Sequence, residues 1–186
     1  MIRKYSKKDF PVDEIRHYLE PGPTVLVTSS WQGKQNVMTM GWQTTMEFNP
    51  SLVGCVIANS NFSFELIRGS GECVINVPTV ELARIVVKIG NCSGDSVDKF
   101  RKFKLTTSPA SVVAAPLIDQ CVASFECKLV DDRLIKKYNF FIFEIVKAHA
   151  ARSPKYPKTI HYHGHGKFTV AGGTINLHRL FTKWKE

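Results

Sequence analysis

Between Thr24 and Ala58 the chain sets out three strand-like runs with no helical period between them, and this succession constrains the fold more than any other feature. Thr24-Val25-Leu26-Val27-Thr28-Ser29 is rich in β-branched residues, Gln32-Gly33-Lys34 supplies a turn, and a second strand runs from Gln35 to Trp42. These two read as a hairpin. Leu52-Val53-Gly54-Cys55-Val56-Ile57-Ala58 is the third run. Regular βαβ alternation is missing throughout, so a doubly wound parallel sheet does not fit. A closed antiparallel barrel with short peripheral helices does.

Later segments extend this pattern. Cys121, Ala123, Phe125, Cys127 and Leu129 alternate with Ser124, Glu126 and Lys128, which is the period of a half-buried strand. Tyr138 to Val146 is almost continuously apolar and predicts a strand buried on both faces. Lys167–Val170 and Gly173–Asn176 read as a terminal hairpin around Ala171-Gly172. Short helices are expected over Pro11–Leu19, from Asn61 or Ser63 to just before Gly69, from a Thr79 cap to Gly90, and after Ser96 and Asp98.

With 186 residues and 44% apolar content, the chain is expected to form one domain over 1–186 with a real core. Twelve Phe argue against a disordered chain. No apolar stretch approaches the ~18 residues of a membrane span, and the basic start lacks an apolar segment behind it, so neither a membrane nor a signal peptide is expected. Five cysteines without a CxxC pair read as small buried hydrophobes of a reduced cytoplasm. The net charge of +9 concentrates toward the end, where Lys147 to Glu186 holds eight Lys or Arg against one acid. These cations are spread singly, without a dense run or an aromatic recognition pattern. They read as a solvated face and not as a nucleic-acid site, and a basic barrel holding a single strand is the distant rival.

Several chemistries fall away. Gly69-Ser70-Gly71 and Gly90-Asn91-Cys92-Ser93-Gly94 match neither a Walker loop nor a dinucleotide fingerprint and read as turns. No Ser occupies a GxSxG elbow. His161, His163 and His165 would share a face if they lay on a strand, which could suit a metal, but Gly164 interrupts them and no carboxylate is near in sequence. No metal is expected.

What remains is a corner from Asn36 to Ser63. Two strand-like segments end beside small polar residues, and a helix opens at the second end. Amides and hydroxyls there can hold an anion, with the Trp42 ring nearby. The corner suits a ligand flat at one end and charged at the other.

The ordered set Asn36-x-Met38-Thr39-x-Gly41-Trp42, Asn49-Pro50, Asn59-Ser60-Asn61-x-Ser63 and Ile75-Asn76-Val77-Pro78 resembles the flavin reductase-like, FMN-binding split-barrel family, its flavoredoxin branch in particular. Ser93-Gly94-Asp95-x-x-Asp98-Lys99-Phe100 and the run Phe141 to Val146 extend the resemblance from about Thr24 to Phe168. It implies a six-stranded Greek-key barrel that dimerises and holds FMN near the subunit interface. Asn36 and Trp42 are then expected beside the flavin ring or ribityl chain, with main-chain amides of Val37, Met38 and Thr39 at the ring's polar edge. Ser63, with Asn59, Ser60 and Asn61, is expected at the phosphate. Lys99 is expected against the cofactor and Phe168 as a late aromatic wall. Where members carry a histidine before the late strand, this chain has Tyr138. The implied activity is an NAD(P)H-dependent flavin or ferric reductase, or an FMN electron carrier served by a partner protein, with the chemistry on the cofactor and no catalytic side chain.

Overall fold

The computed structural model describes residues 3–15 and 22–180. One eight-stranded antiparallel sheet dominates it: β1 Lys7–Phe10, β2 Val25–Trp31, β3 Lys34–Met40, β4 Gln43–Glu47, β5 Leu52–Val56, β6 Glu72–Val77, and then the two long strands Ala123–Asp131 and Phe140–Ala151. Two small ribbons lie outside it. β7 Thr107–Ser108 pairs with β8 Leu117–Ile118, so the long strands are β9 and β10; β11 Ile160–Tyr162 pairs with β12 Phe168–Val170.

The order across the sheet is β3-β2-β6-β9-β10-β5-β4, with β1 added to the far part of β10. The main sheet therefore has eight strands, two more than expected. β10 accommodates both β5 and β1 on one side because it is twelve residues long, and each takes only part of it.

The first hairpin forms as its residues dictate. Gln32 and Gly33 both take positive φ, 49° and 76°, which matches a two-residue turn to the strand twist. Val25↔Met40 through Trp31↔Lys34 stay in register. β3 stops at Met40, short of Trp42.

One face of the sheet gathers Val27, Met38, Val53, Ile75, Phe125, Phe141 and Phe143 into the main core. Helix α1, Phe62–Ser70, packs Phe64 edge-on against Phe141 with ring centroids 5.3 Å apart. It runs past Gly69, where the absent side chain admits the Trp31 ring, and ends at the left-handed Gly71. A 3₁₀ turn at Val80–Leu82 leads into α2, Ala83–Gly90, whose Val86 and Ile89 cover Leu26 and Val37 on the opposite face. α3, Lys99–Lys102, is capped by the Asp98 carboxylate, which accepts from Arg101 N at 3.0 Å.

Other expectations need correction. Tyr138 ends a short helix, α4 Ile135–Tyr138, and Asn139 with φ 55° separates it from β10. Along β10 only alternate residues such as Phe141, Phe143 and Ile145 are fully buried. β9 shows the converse: Ser124 and Glu126, on its polar side, are as buried as its apolar side. β12 pairs back onto β11, and residues 171–177 form no strand. The first helix is a 3₁₀ turn at Val12–Glu14, and its expected end at Leu19 lies outside the described residues.

The buried polar side of β9 explains itself through the loop it holds. Glu126 accepts from the amides of Ser111 at 2.9 Å, Val112 at 2.6 Å and Val113 at 3.1 Å, and meets His149 Nε2 at 2.7 Å. Burial alone would raise this carboxyl, but the three amides and His149 outweigh it, so Glu126 titrates below its ordinary range. Its contribution to stability is complete above the unfolded-state value and is lost as pH falls through the lower folded one. Denaturant midpoints at constant salt should therefore fall between about pH 5 and about pH 3. Glu126→Gln should flatten that part of the curve; an unchanged slope would assign the acid sensitivity elsewhere.

Candidate functional site

β3 is an edge strand, paired on one side with β2, so alternate main-chain groups face away from the sheet. Val37 is one of these: its carbonyl accepts from Lys99 Nζ at 3.0 Å. The same ammonium donates to Ile89 O, in the last turn of α2, at 3.1 Å. Lys99 is only 4% exposed and ties the edge strand to a helix C-terminus, where a cation suits both the open carbonyls and the dipole. Burial holds its pKa below the ordinary lysine range, opposed by Cys92 and Asp95. Two of its three protons are engaged, which leaves one to give.

Asn36, on the same strand, is buried and donates through Nδ2 to Ser63 Oγ at 2.9 Å. Ser29 Oγ lies 3.4 Å from the same oxygen. Ser63 thus accepts on one side and keeps its own proton as a donor. It sits in the first turn of α1, where the opening amides have no intrahelical acceptor. The Asn61 side chain makes no capping bond there and stays available.

These groups converge on a cavity of about 300 Å³ lined by Asn36, Met38, Ser60, Asn61, Ser63 and Lys99, together with Phe62 and the loop Gly90–Gly94. None of the described residues that line it is a carboxylate. It offers hydroxyl, amide and ammonium donors beside the apolar side chains of Met38 and Phe62, which suits a hydroxylated ligand with an anionic end.

The sequence reading placed that loop among turns. It is the wall of the cavity. Gly94 packs so closely on Asn36 that a Cβ there would overlap the Asn36 Oδ1. The signal is in the sequence: Ser93 and Gly94 open the same motif that runs on to Asp98-Lys99-Phe100.

Other expected residues lie apart from the cavity lining. The Thr39 hydroxyl donates to Val86 O at 2.6 Å and serves α2 packing. Trp42 is 74% exposed beyond the end of β3, and Asn59 is exposed in the turn before α1. Tyr138 is 55% exposed, with Lys137 Nζ 5.0 Å from its ring centroid. Phe168 packs against the cluster of Leu26, Val37 and Val86 and lies 5.0 Å from the Tyr162 ring. The histidines are taken up locally: His161 bonds Thr159 and Gly22, His163 bonds Thr169 across the β11–β12 ribbon, and His165 sits in the turn at residues 164–166. Among the described residues no group of three or more His, Cys, Asp or Glu could hold a metal, and no helix is long and apolar enough to cross a membrane.

The family model of the flavin reductase like domain matches residues 17–170. The chain belongs to that family. Its structure is similar to an FMN-binding domain of a flavin reductases-like enzyme from Shewanella baltica, with a TM-score of 0.86 and 26% identity over 94% of this chain and 98% of that one. It shares its fold with the flavoredoxin of Desulfovibrio vulgaris, with a TM-score of 0.78 and 20% identity over 87% of this chain and 92% of that one. In sequence it is 37% identical over 129 residues to an uncharacterized protein of Archaeoglobus fulgidus, covering 69% of this chain and 72% of the relative.

Because Lys99 satisfies two otherwise buried carbonyls, Lys99→Met should lower the unfolding free energy by about 2–3 kcal/mol. Urea denaturation checks this, and a loss below about 0.5 kcal/mol would mean that water replaces the ammonium there.

Proposed function

We propose that this protein is an FMN-binding oxidoreductase of the NAD(P)H-dependent flavin or ferric reductase type, with the cofactor held at the Asn36–Ser63–Lys99 cavity. The observation that carries the reading is the donor-rich lining around Asn36, Ser63 and the buried Lys99, with no carboxylate among its described residues, in a chain of this family. Its residues fit the group. Ser60, Asn61 and Ser63, with the opening amides of α1, would hold the phosphate. Asn36 and the free side of β3 would face the polar parts of the ribityl chain and ring. The spare Lys99 proton would place a fixed positive charge near the polar edge and favour the anionic reduced form. Bound there, FMN would supply the redox chemistry, accepting a hydride from NAD(P)H and passing electrons to an acceptor. The protein's own part is binding, orientation and charge; no side chain need transfer a proton.

A homodimer is part of this proposal. Trp42, Met46, Phe48 and Tyr138 are large and exposed, and a second copy would bury them and add the flat wall that the cavity of one chain lacks. Sedimentation velocity should give a dimer, and a monomer at micromolar concentration would overturn that part.

The purified protein, given FMN, should retain a yellow chromophore that anaerobic NADH or NADPH bleaches. Retention without bleaching would favour an electron carrier reduced by another protein, and failure to take up FMN would overturn the reading. Gly94→Ala should cut FMN affinity by about tenfold or more, because the added methyl displaces Asn36 from the cavity.

A further inference from the structure

We propose that a second cavity, formed where β1 meets the end of β10, binds a small molecule carrying two or more adjacent phosphates. The cavity measures about 240 Å³; Arg3, Lys4, Lys8 and Arg152, with Tyr5 and Ser153, contribute to a wall that is more apolar than polar. None of the described residues that line it is a carboxylate.

Four cations around one hollow repel one another unless something neutralises them. Nothing among the described residues does so. Asp9, the acid of β1, is engaged by Lys147 at 2.6 Å. Among the described residues, Arg3, Lys4, Lys8 and Arg152 have no ion pair, and Arg3 rests on the Tyr5 ring, 5.2 Å from its centroid. The frame beneath them is fixed. Lys7↔Ala151 and Lys8↔Ala150 pair in register, which sets Arg152 beside the start of β1, and Tyr5 N donates to Asp119 O at 3.1 Å. A basic patch on a floppy tail would lack this backing.

Shape and charge select the ligand class. Guanidinium and ammonium donors with the Ser153 hydroxyl suit phosphate oxygens, and several cations call for more than one negative charge. The Tyr5 ring gives an apolar surface for the remainder of such a molecule. A hollow of this size admits a diphosphate, whereas a single nucleic-acid strand needs an extended groove with repeated stacking surfaces.

The location is separate from the first cavity. The rung through Val37 passes Thr28, Val74 and Glu126 and reaches β10 at Lys147. Arg152 lies beyond that point and several strands away, a separation on the order of 20 Å. The proposal therefore does not depend on the flavin reading.

The test is calorimetric titration of inorganic pyrophosphate into the protein in excess FMN at low salt, for wild type, for Lys4→Ala with Arg152→Ala, and for Lys8→Ala. Wild type should bind saturably near one to one, and the double variant about tenfold or more weakly. Added salt should weaken binding. Bound FMN should be unchanged, and thermal melting should confirm that the variants fold. If FMN does not bind at all, the same titration without it still compares wild type with the double variant. Absence of saturable binding, binding indifferent to all three substitutions, or a single-stranded oligonucleotide that binds more tightly than pyrophosphate would each overturn the proposal.

Discussion

β10 must pair with β9 along one edge and with both β5 and β1 along the other, and the rest of the molecule follows from that constraint. A strand serving three neighbours over twelve residues cannot stay flat. The β9 ladder slips at Ile142/Phe143 and again at Ile145/Lys147, which adds bend and twist where the sheet curls. The curl brings Phe141, Phe143 and Ile145 inward against Val53, Ile75 and Phe125, and it leaves β3 and β4 as the ends of the hydrogen-bonded path. An edge strand beside a helix N-terminus is what the first cavity needs. The cavity therefore exists because the sheet coils without pairing every strand on both sides.

Buried polar groups then fix what the coil alone would leave loose. Asn76 accepts from Ile118 N at 3.0 Å and from Ser124 Oγ at 2.7 Å, and its amide reaches Leu26 O at 3.3 Å, so one side chain joins β2, β6, β8 and β9. Glu126 does the same for the loop at Ser111–Val113, and Lys99 for β3 and α2. Each group sits where water is scarce and where leaving a partner unpaired is costly. Their effect is on geometry more than on net stability. At the cavity itself the Asn36–Ser63 bond and the two Lys99 bonds hold β3, α1 and the end of α2 together, so a ligand entering meets donors already in place.

The hairpin, the strand at Leu52 and the Asp98 cap are legible because period, turn residues and capping residues are local signals, whereas Thr79 opens its 3₁₀ turn without a side-chain capping bond. The readings that failed each depended on the far side of a contact. Period 2 along β9 identifies a strand, but Glu126 turns away from water toward a loop fourteen or so residues earlier, and Ser124 toward Asn76 on β6. The apolar run from Tyr138 to Val146 gave no hint that Asn139 would take a left-handed conformation and detach Tyr138 from the strand. At the site, Asn36, Ser63 and Lys99 stood out by their ordered motifs. The glycines facing them looked like ordinary turns, since close packing of Gly94 on Asn36 joins residues far apart in sequence.

The basic character of the surface has a structural origin as well. Many of the acids are occupied by the fold: Glu72 and Glu126 accept loop amides, Asp98 caps α3, Asp119 accepts from Ser108, Asp9 meets Lys147 and Asp131 meets Arg133. Hydrogen bonds from Ser93 and Ser96 keep the Asp95 carboxyl below its ordinary pKa. Carboxylates so engaged give up much of their freedom to neutralise neighbouring cations, and the net charge of +9 is carried largely by Lys and Arg with no such partner. A field of that sign raises the local concentration of anions and speeds their arrival, while selection among them rests with the hollows. Among the described residues neither cavity is lined by a carboxylate and basic side chains contribute to both, so an anion drawn in by the field meets no opposing acid at either hollow.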